Sequence, residues 1–494
     1  MKLIRPIAIT ITLLLLSTMV VAATPLNGAT TKNLSTNFTL VNLGPTLANV
    51  KAEYLLPDGN PWTVSPENKD FTIAGNFGQA VLSQYFDDLM PAGQGSVVLS
   101  SDQPLGAVVQ IQARPPQIPT TGAYTGVGSP SQTYYAPQVF SKLPTANGLS
   151  NSQIAIQNTN SEAVTVTVQL IPYPGITGLS TYTNSSIQIQ PGASYLYDLA
   201  DEVNLTSTNP TITGWTGSAV ITAPAGKTVA AVVNTFAGPD SLQTYNAFPA
   251  ESIGSTWSIP HFTSKLSNGL STPVNVQNLS GVDIAVGDVT LNCVAAAGFA
   301  PATFAISNAE VIPANATFSF NPVGNNDYPN HFSGTCTVSS ATDKGMVSIV
   351  QMRRPGVTNE LAAYEAIPGT STGIRIVVPL ISKNQANGFA TNVTIKNLST
   401  TNAAAVKLTF TPAATYGGSQ DLIIFNETIP TNGNLLLSQR FDGTPQIPNG
   451  WYGTLLVEPQ NPATGQPLAA LVQLTNTQVS EGDTFMAHIA FTLP

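Results

Sequence analysis

Three histidines, His261, His331 and His488, are the only imidazoles in the 494-residue chain. None stands at a fixed spacing from a serine, cysteine, aspartate or glutamate that would complete a nucleophile–base pair. No HExxH, GxSxG, phosphate-cradling loop or dinucleotide fingerprint occurs. Two adjacent acidic pairs, Asp87-Asp88 and Asp201-Glu202, offer oxygens for Ca²⁺, but such a site takes six or more and no acidic ligand set recurs. They read as solvated loop charges. A carboxylate pair for glycoside hydrolysis would have to be assembled from distant loops. The expectation is no catalytic residue, no cofactor and no metal, with a secreted hydrolase the least favoured function.

Cys293 and Cys336 are the only cysteines. Cys293 ends the alternating run Val289-Thr-Leu-Asn-Cys293 and Cys336 stands two before Val338, so both belong to apolar strand faces. Inward cysteines on separate strands of an exported domain predict a disulfide, contributing about 3–4 kcal/mol in the chain-entropy model. Free buried thiols and a two-cysteine metal site are the weaker alternatives.

The aromatics Trp215, Phe332 and Trp451 each stand two residues before a glycine, while the first copy of this phrase has Gly93 instead. Such rings are either stacking platforms for sugars or core residues. Their recurrence with the period of the fold favours the core. Trp62, Tyr85 and loop tyrosines are then the candidates for stacking on carbohydrate.

The glycines behind those aromatics, Gly95, Gly217, Gly334 and Gly453, recur at a period of about 120 residues, the size of a domain rather than of a solenoid unit. The amides Gln110, Asn234, Gln351 and Gln473 keep the same step. Lys142, Lys265 and Lys383 each precede an Asn-Gly turn: Asn147-Gly148, Asn268-Gly269 and Asn387-Gly388. The lysines are expected to point into water or to cover a sheet edge.

Every copy reads as β. Val164-Thr-Val-Thr-Val-Gln-Leu170 alternates without a break, as a half-buried strand does. In the last copy strands are expected at about Arg375–Ile381, Thr391–Lys396, Ala405–Thr411, Leu422–Thr428, Leu435–Ser438, Trp451–Val457, Leu468–Thr475 and Met486–Phe491. Seven or eight short strands per copy predict an all-β chain of four tandem immunoglobulin-like antiparallel β-sandwich domains, with a closed barrel as the alternative. The boundaries fall at residues 24–128, 129–252, 253–371 and 372–494. Short Pro/Gly/Ser/Thr-rich linkers, with a separate interior in each copy, predict a semi-rigid rod. The first copy lacks the Pro-x-x-x-Lys strand. Either Thr24–Lys32 forms a degenerate strand, or an open groove accepts a strand from a neighbouring copy.

Residues 1–23 read as a signal peptide: basic Lys2 and Arg5, an apolar run from Ile7 to Val21, and Val21-Ala22-Ala23 for cleavage. The run is shorter than the roughly 20 residues that span a bilayer, so cleavage is favoured over an anchor, and no later stretch is a transmembrane segment. Charged residues make up only 9% and net charge is −9, which argues against nucleic acid as a partner. The expected location is extracellular or at the cell surface.

The phrases Tyr135-Ala-Pro137, Lys142, Asn147-Gly148 and Ile154-Ala-Ile-Gln-Asn158 resemble a pattern common in secreted tandem-repeat proteins of filamentous Chloroflexi-type bacteria. Ile259-Pro260, Lys265, Asn268-Gly269 and Val274-Asn-Val-Gln-Asn278 have the same form. The resemblance implies a cell-envelope location and the repeat fold, and transfers no catalytic residue. The function expected is a non-catalytic structural or adhesive protein whose partners are other copies of itself, envelope polymers or glycans. The alternative is a secreted carbohydrate-binding protein.

Overall fold

The structure, a computed structural model, describes residues 11–15, 34–113, 118–145, 148–202, 205, 213–238, 240–354, 360–441, 444, 446–476, 478 and 482–493. These residues form antiparallel sheets joined by turns, with no α-helix among them.

Each quarter of the chain contributes two sheets. The first contains β1 (Ile11–Leu15), β2 (Leu34–Asn42), β3 (Ala48–Leu55), β4 (Asp70–Ile73), β5 (Gln79–Ser83), β6 (Ser96–Ser101), β7 (Leu105–Ala113) and β8 (Thr120–Thr125), ordered β1-β6-β3-β4 and β5-β2-β7-β8. The second contains β9 (Thr133–Ser141), β10 (Leu143–Thr145), β11 (Gly148–Asn158), β12 (Val164–Pro172), β13 (Tyr182–Ile189), β14 (Ser194–Asp198), β15 (Trp215–Thr222), β16 (Val229–Ala237), β17 (Ser241–Asn246) and β18 (Phe248–Pro249). Its sheets run β13-β12-β15-β9-β18 and β10-β11-β16-β17, with β14 also on β11.

The third contains β19 (Thr256–Ser264), β20 (Val274–Asn278), β21 (Val289–Ala295), β22 (Thr303–Ser307), β23 (Thr317–Phe320), β24 (Phe332–Ser340), β25 (Met346–Arg353), β26 (Leu361–Glu365) and β27 (Ile367–Pro368), ordered β22-β21-β24-β19-β27 and β23-β20-β25-β26. The fourth contains β28 (Arg375–Ser382), β29 (Phe389–Asn397), β30 (Ala404–Pro412), β31 (Ile423–Ile429), β32 (Asn434–Ser438), β33 (Tyr452–Pro459), β34 (Leu468–Asn476), β35 (Met486–Ile489) and β36 (Phe491–Leu493), ordered β31-β30-β33-β28-β36 and β32-β29-β34-β35.

The two sheets of a quarter differ in how they are buried. Along β3, β12 and β30 burial alternates residue by residue, as expected of a sheet with one wet face. Along β2, β16 and β34 nearly every residue is buried. That sheet is covered on one face by its partner sheet, and in the first, third and fourth quarters the first strand of a neighbouring quarter lies on the other.

The recurring glycine follows from a close approach. A Cβ on Gly95, Gly217, Gly334 or Gly453 would run into the carbonyl oxygen of Leu55, Ile171, Val294 or Thr411, respectively, on the neighbouring strand. Opposite it, the first strand of the quarter shifts register, between Ile259 and Phe262 in β19 and between Val378 and Ile381 in β28. Pro260 and Pro379 sit in these irregularities, where a missing N–H breaks no ladder bond.

The quarters are not strung out. The closing strands β8, β17, β26 and β35 pack in a cycle, each against the next and β35 against β8. At three of the four seams the first strand of one quarter lies on the fully buried sheet of the next: β9 on β20 and β25, β19 on β29 and β34, β28 on β2 and β7. The residue after the recurring glycine donates to a turn of the following quarter, Ser96 to Gly192 O (2.8 Å), Ser218 to Asn315 O (2.6 Å) and Thr335 to Asn432 O (3.2 Å). Between the fourth quarter and the first, Gln79 Nε2 donates to Pro379 O (2.5 Å).

A head-to-tail contact whose rotation closes makes a ring, so the expected rod is corrected to a ring of four quarters. Separate interiors are corrected as well. Buried apolar side chains of the first three quarters form one cluster that includes Leu471, Phe485 and Ala487 of the fourth. Val108 and Ala123 of the first belong to the fourth quarter's cluster.

Candidate functional site

Asp483, fully buried, ties the ring at its axis. Its carboxylate accepts from the backbone N–H groups of Leu242 (3.0 Å), Leu361 (3.2 Å) and Phe485 (3.1 Å). Its carbonyl accepts from Thr121 Oγ1 (3.2 Å) and its own N–H donates to Pro119 O (2.8 Å). One residue of the fourth quarter thus satisfies donors of the other three. Burial pushes the carboxyl well above its ordinary range despite those N–H donors. Nearby, Glu365 accepts from the Asn246 N–H and is pushed up to about 7 by burial. These carboxyls accept from buried backbone N–H groups, which is a structural role.

At the seam between the third and fourth quarters lies Lys396, whose Nζ donates to Cys336 O (2.8 Å) and Thr337 Oγ1 (3.3 Å). Gln277, one seam earlier, donates from the equivalent position to Ala219 O (3.4 Å). Burial lowers the Lys396 ammonium to about 7. Cys293 and Cys336 are disulfide-bonded, and they are directly opposed on adjacent strands of one sheet, β21 and β24. Cys293, Phe304, Thr337 and Asn432 line a cleft of about 300 Å³ beside the bond.

Trp215, Phe332 and Trp451 are buried. The Trp215 indole donates to Ser180 O (3.2 Å), Phe332 packs edge-on against Phe304 at 4.8 Å, and Trp451 edge-on against Phe410 at 6.0 Å. Trp62, expected as a sugar platform, is instead core: its indole donates to Pro91 O (3.2 Å) and its ring occupies the space beside Gly93 and Gly95. It fills from another segment the room that Trp215 fills in the second quarter. The signal for this was the pairing of a lone tryptophan with the one copy that lacks the aromatic.

Two lysines also depart from expectation. Lys383 is buried and donates to Thr444 O (2.9 Å), and Lys265 donates to Asn325 O (2.7 Å) and Tyr328 O (2.8 Å). Their chains run back under loops whose carbonyls face inward and need donors; Lys142 alone is exposed. Asn147 lies outside the described residues. His488 is buried and His331 exposed, and neither they nor His261 meet within a ligand set: among the described residues no three His, Cys, Asp or Glu side chains converge on a metal position.

Of the acidic pairs, Asp88 and Asp201 are exposed, but Asp87 is buried and organises a turn. It accepts from Ser65 N (3.0 Å), Ser65 Oγ (2.7 Å), Asn68 Nδ2 (2.6 Å) and Leu89 N (3.1 Å). Burial opposes its charge, and the donors from Ser65 and Asn68 outweigh burial, so its carboxyl lies below the usual range. The pinned turn exposes Tyr85 (54%), Phe86 (70%) and Leu89 (56%), with the two rings edge-on at 5.1 Å. Gln84-Tyr-Phe86 follows β5 as Gln439-Arg-Phe441 follows β32. Phe441 is 74% exposed, with the Arg440 guanidinium 5.1 Å over its ring. The first and fourth quarters thus present an exposed phenylalanine at the same place.

No protein-family model matches the chain, and no curated protein matches it. Among solved structures, the crystal structure of Thermotoga maritima 1070 aligns at 13% identity over 24% of this chain and 96% of its own, with a TM-score of 0.19.

Proposed function

We propose that the chain is an exported, non-catalytic structural or adhesive protein of the cell envelope or extracellular matrix. Its partners are other copies of itself or envelope polymers. The observation that carries this is the pair of homologous exposed phenylalanines, Phe86 and Phe441, on turns of a closed ring. The Phe86 turn is held rigid by Asp87. Large apolar groups fixed in water are a contact surface with little ordering cost on binding, and two per ring favour multivalent attachment. A closed ring serves such attachment as a platform, where a rod would serve reach. Among the described residues no helix is long and apolar enough to cross a membrane.

Fractionation of the producing cells tests the proposal. The intact chain is expected with the envelope or matrix, and Phe86→Ser/Phe441→Ser, folded by circular dichroism, is expected free in the medium. An unaltered distribution of the double variant would contradict it. The edge-on Tyr85–Phe86 pair favours a second reading, carbohydrate binding. Saturable binding on a glycan array that is abolished by Tyr85→Ala would establish that instead.

A further inference from the structure

In three quarters the first strand does two things. β9, β19 and β28 each pair with the strand that carries the recurring glycine, and each lies on the next quarter at a seam. In the first quarter that place beside β6 is taken by β1, from the leader. Leu15 pairs with Val97 as Ala136 pairs with Ala219, Ile259 with Cys336 and Val378 with Leu455. The register is the same: among the described residues β9 pairs along β15 from Thr222 to Trp215, and β1 pairs along β6 from Ser101 to Val97.

A second observation comes from the closing strands. Tyr245 and Tyr364, on the closing strands, donate to carbonyls of their own first strands, Gln138 O (2.5 Å) and His261 O (2.6 Å). Tyr124 holds the equivalent position, opposite Val109 as Tyr245 is opposite Val233 and Tyr364 opposite Val350. Its ring is buried and its hydroxyl has no partner. A buried donor without an acceptor is costly, and its two counterparts show what the acceptor is: a carbonyl of a strand running beyond Val97.

We propose that the side of β6 away from β3 is a binding site for an extended apolar peptide strand, occupied in cis by Ile11–Leu15 while the leader is attached and open to a strand in trans once it is removed. The acceptor presents the buried side chains of Val97 and Leu99 and, along one edge, the backbone groups that β1 pairs, the chemistry of strand addition. A full-length occupant would also take the Tyr124 hydroxyl. The site is independent of the exposed phenylalanines and of the surface role proposed for them.

The test uses the full chain carrying Thr12→Pro/Leu13→Pro. Successive residues of a strand point their N–H groups to opposite sides, so one of the two prolines must remove a donor facing β6. Hydrogen exchange at Val97–Ser101 is expected to accelerate at least tenfold relative to wild type. A lysine-flanked peptide of residues 7–19, added in trans, is expected to bind one-to-one and restore protection. If the variant does not fold alone, its refolding on addition of the peptide is the readout. Tyr124→Phe is expected to weaken the peptide severalfold.

The proposal is overturned if the peptide neither protects β6 nor restores folding, or if a peptide carrying the two prolines does so equally well. Unchanged peptide affinity in the Tyr124→Phe chain overturns the assigned reach of the strand past Val97.

Discussion

The first and second quarters place different residues on one plan. In the second, Trp215 packs over the recurring glycine of its own strand, and β9 supplies both the outer pairing and the acceptor for Tyr245. In the first, the aromatic comes from Trp62, the outer pairing from Ile11–Leu15, and the Tyr124 hydroxyl goes unpaired. The fold fixes which volumes and ladder positions must be filled. It leaves open which segment fills them, because burial depends on apolar area and not on chain order.

If Trp62 and Trp215 fill equivalent room, Trp62→Ala and Trp215→Ala should each cost about 3–5 kcal/mol in urea unfolding. A Trp62→Ala variant within about 1 kcal/mol of wild type would break the equivalence. Asp483→Ala leaves the buried N–H groups of Leu242 and Leu361 without their acceptor, at about 1–3 kcal/mol each. The loss should appear in quarters that do not contain residue 483, as new protease cleavage near both leucines. Damage confined to the fourth quarter would mean that the axis does not couple the ring.

The tyrosines sharpen the contrast. Tyr245→Phe should cost about 1 kcal/mol by thermal unfolding, while Tyr124→Phe should be neutral or stabilising in the unmodified chain, because it removes an unpaired buried hydroxyl.

The smallest effect concerns pH. His488 stands opposite Val472, where the other quarters place Tyr124, Tyr245 and Tyr364 opposite valine. Burial lowers His488 and His261 to about 4, so each neutral ring contributes in full above its ordinary 6.5, and that contribution is lost as pH falls through 4. Glu365, raised to about 7, acts oppositely: its contribution is present below 4.5 and fades as pH rises through 7. His488→Tyr is expected to move the acid limb of the melting-temperature profile to lower pH while leaving the alkaline limb in place. An unchanged acid limb would remove His488 from the account.

Strand positions were legible because alternation is a local signal. The run expected at Arg375–Ile381 is β28, and the others of the last quarter fall within two residues of their observed bounds. The exception is Met486–Phe491, which breaks at Ala490 where the chain passes from one sheet to the other; an unbroken apolar run carries no mark of such a crossing. The ring was not legible. Its bonds join residues such as Gln79 and Pro379, or Thr121 and Asp483, that no spacing relates. A signal did exist in Leu468-Ala-Ala-Leu-Val472 and Val229-Ala-Ala-Val-Val233, which are apolar on both faces and so require two covers. The buried lysines and Trp62 were misplaced because a long or amphipathic side chain does not declare which end it hides.

Small-angle X-ray scattering of the monomeric chain tests ring closure most directly. A closed ring predicts a compact particle, with a radius of gyration of about 23 Å for a folded chain of this length. A much larger radius, with the scattering of an elongated particle, would contradict closure and restore the rod.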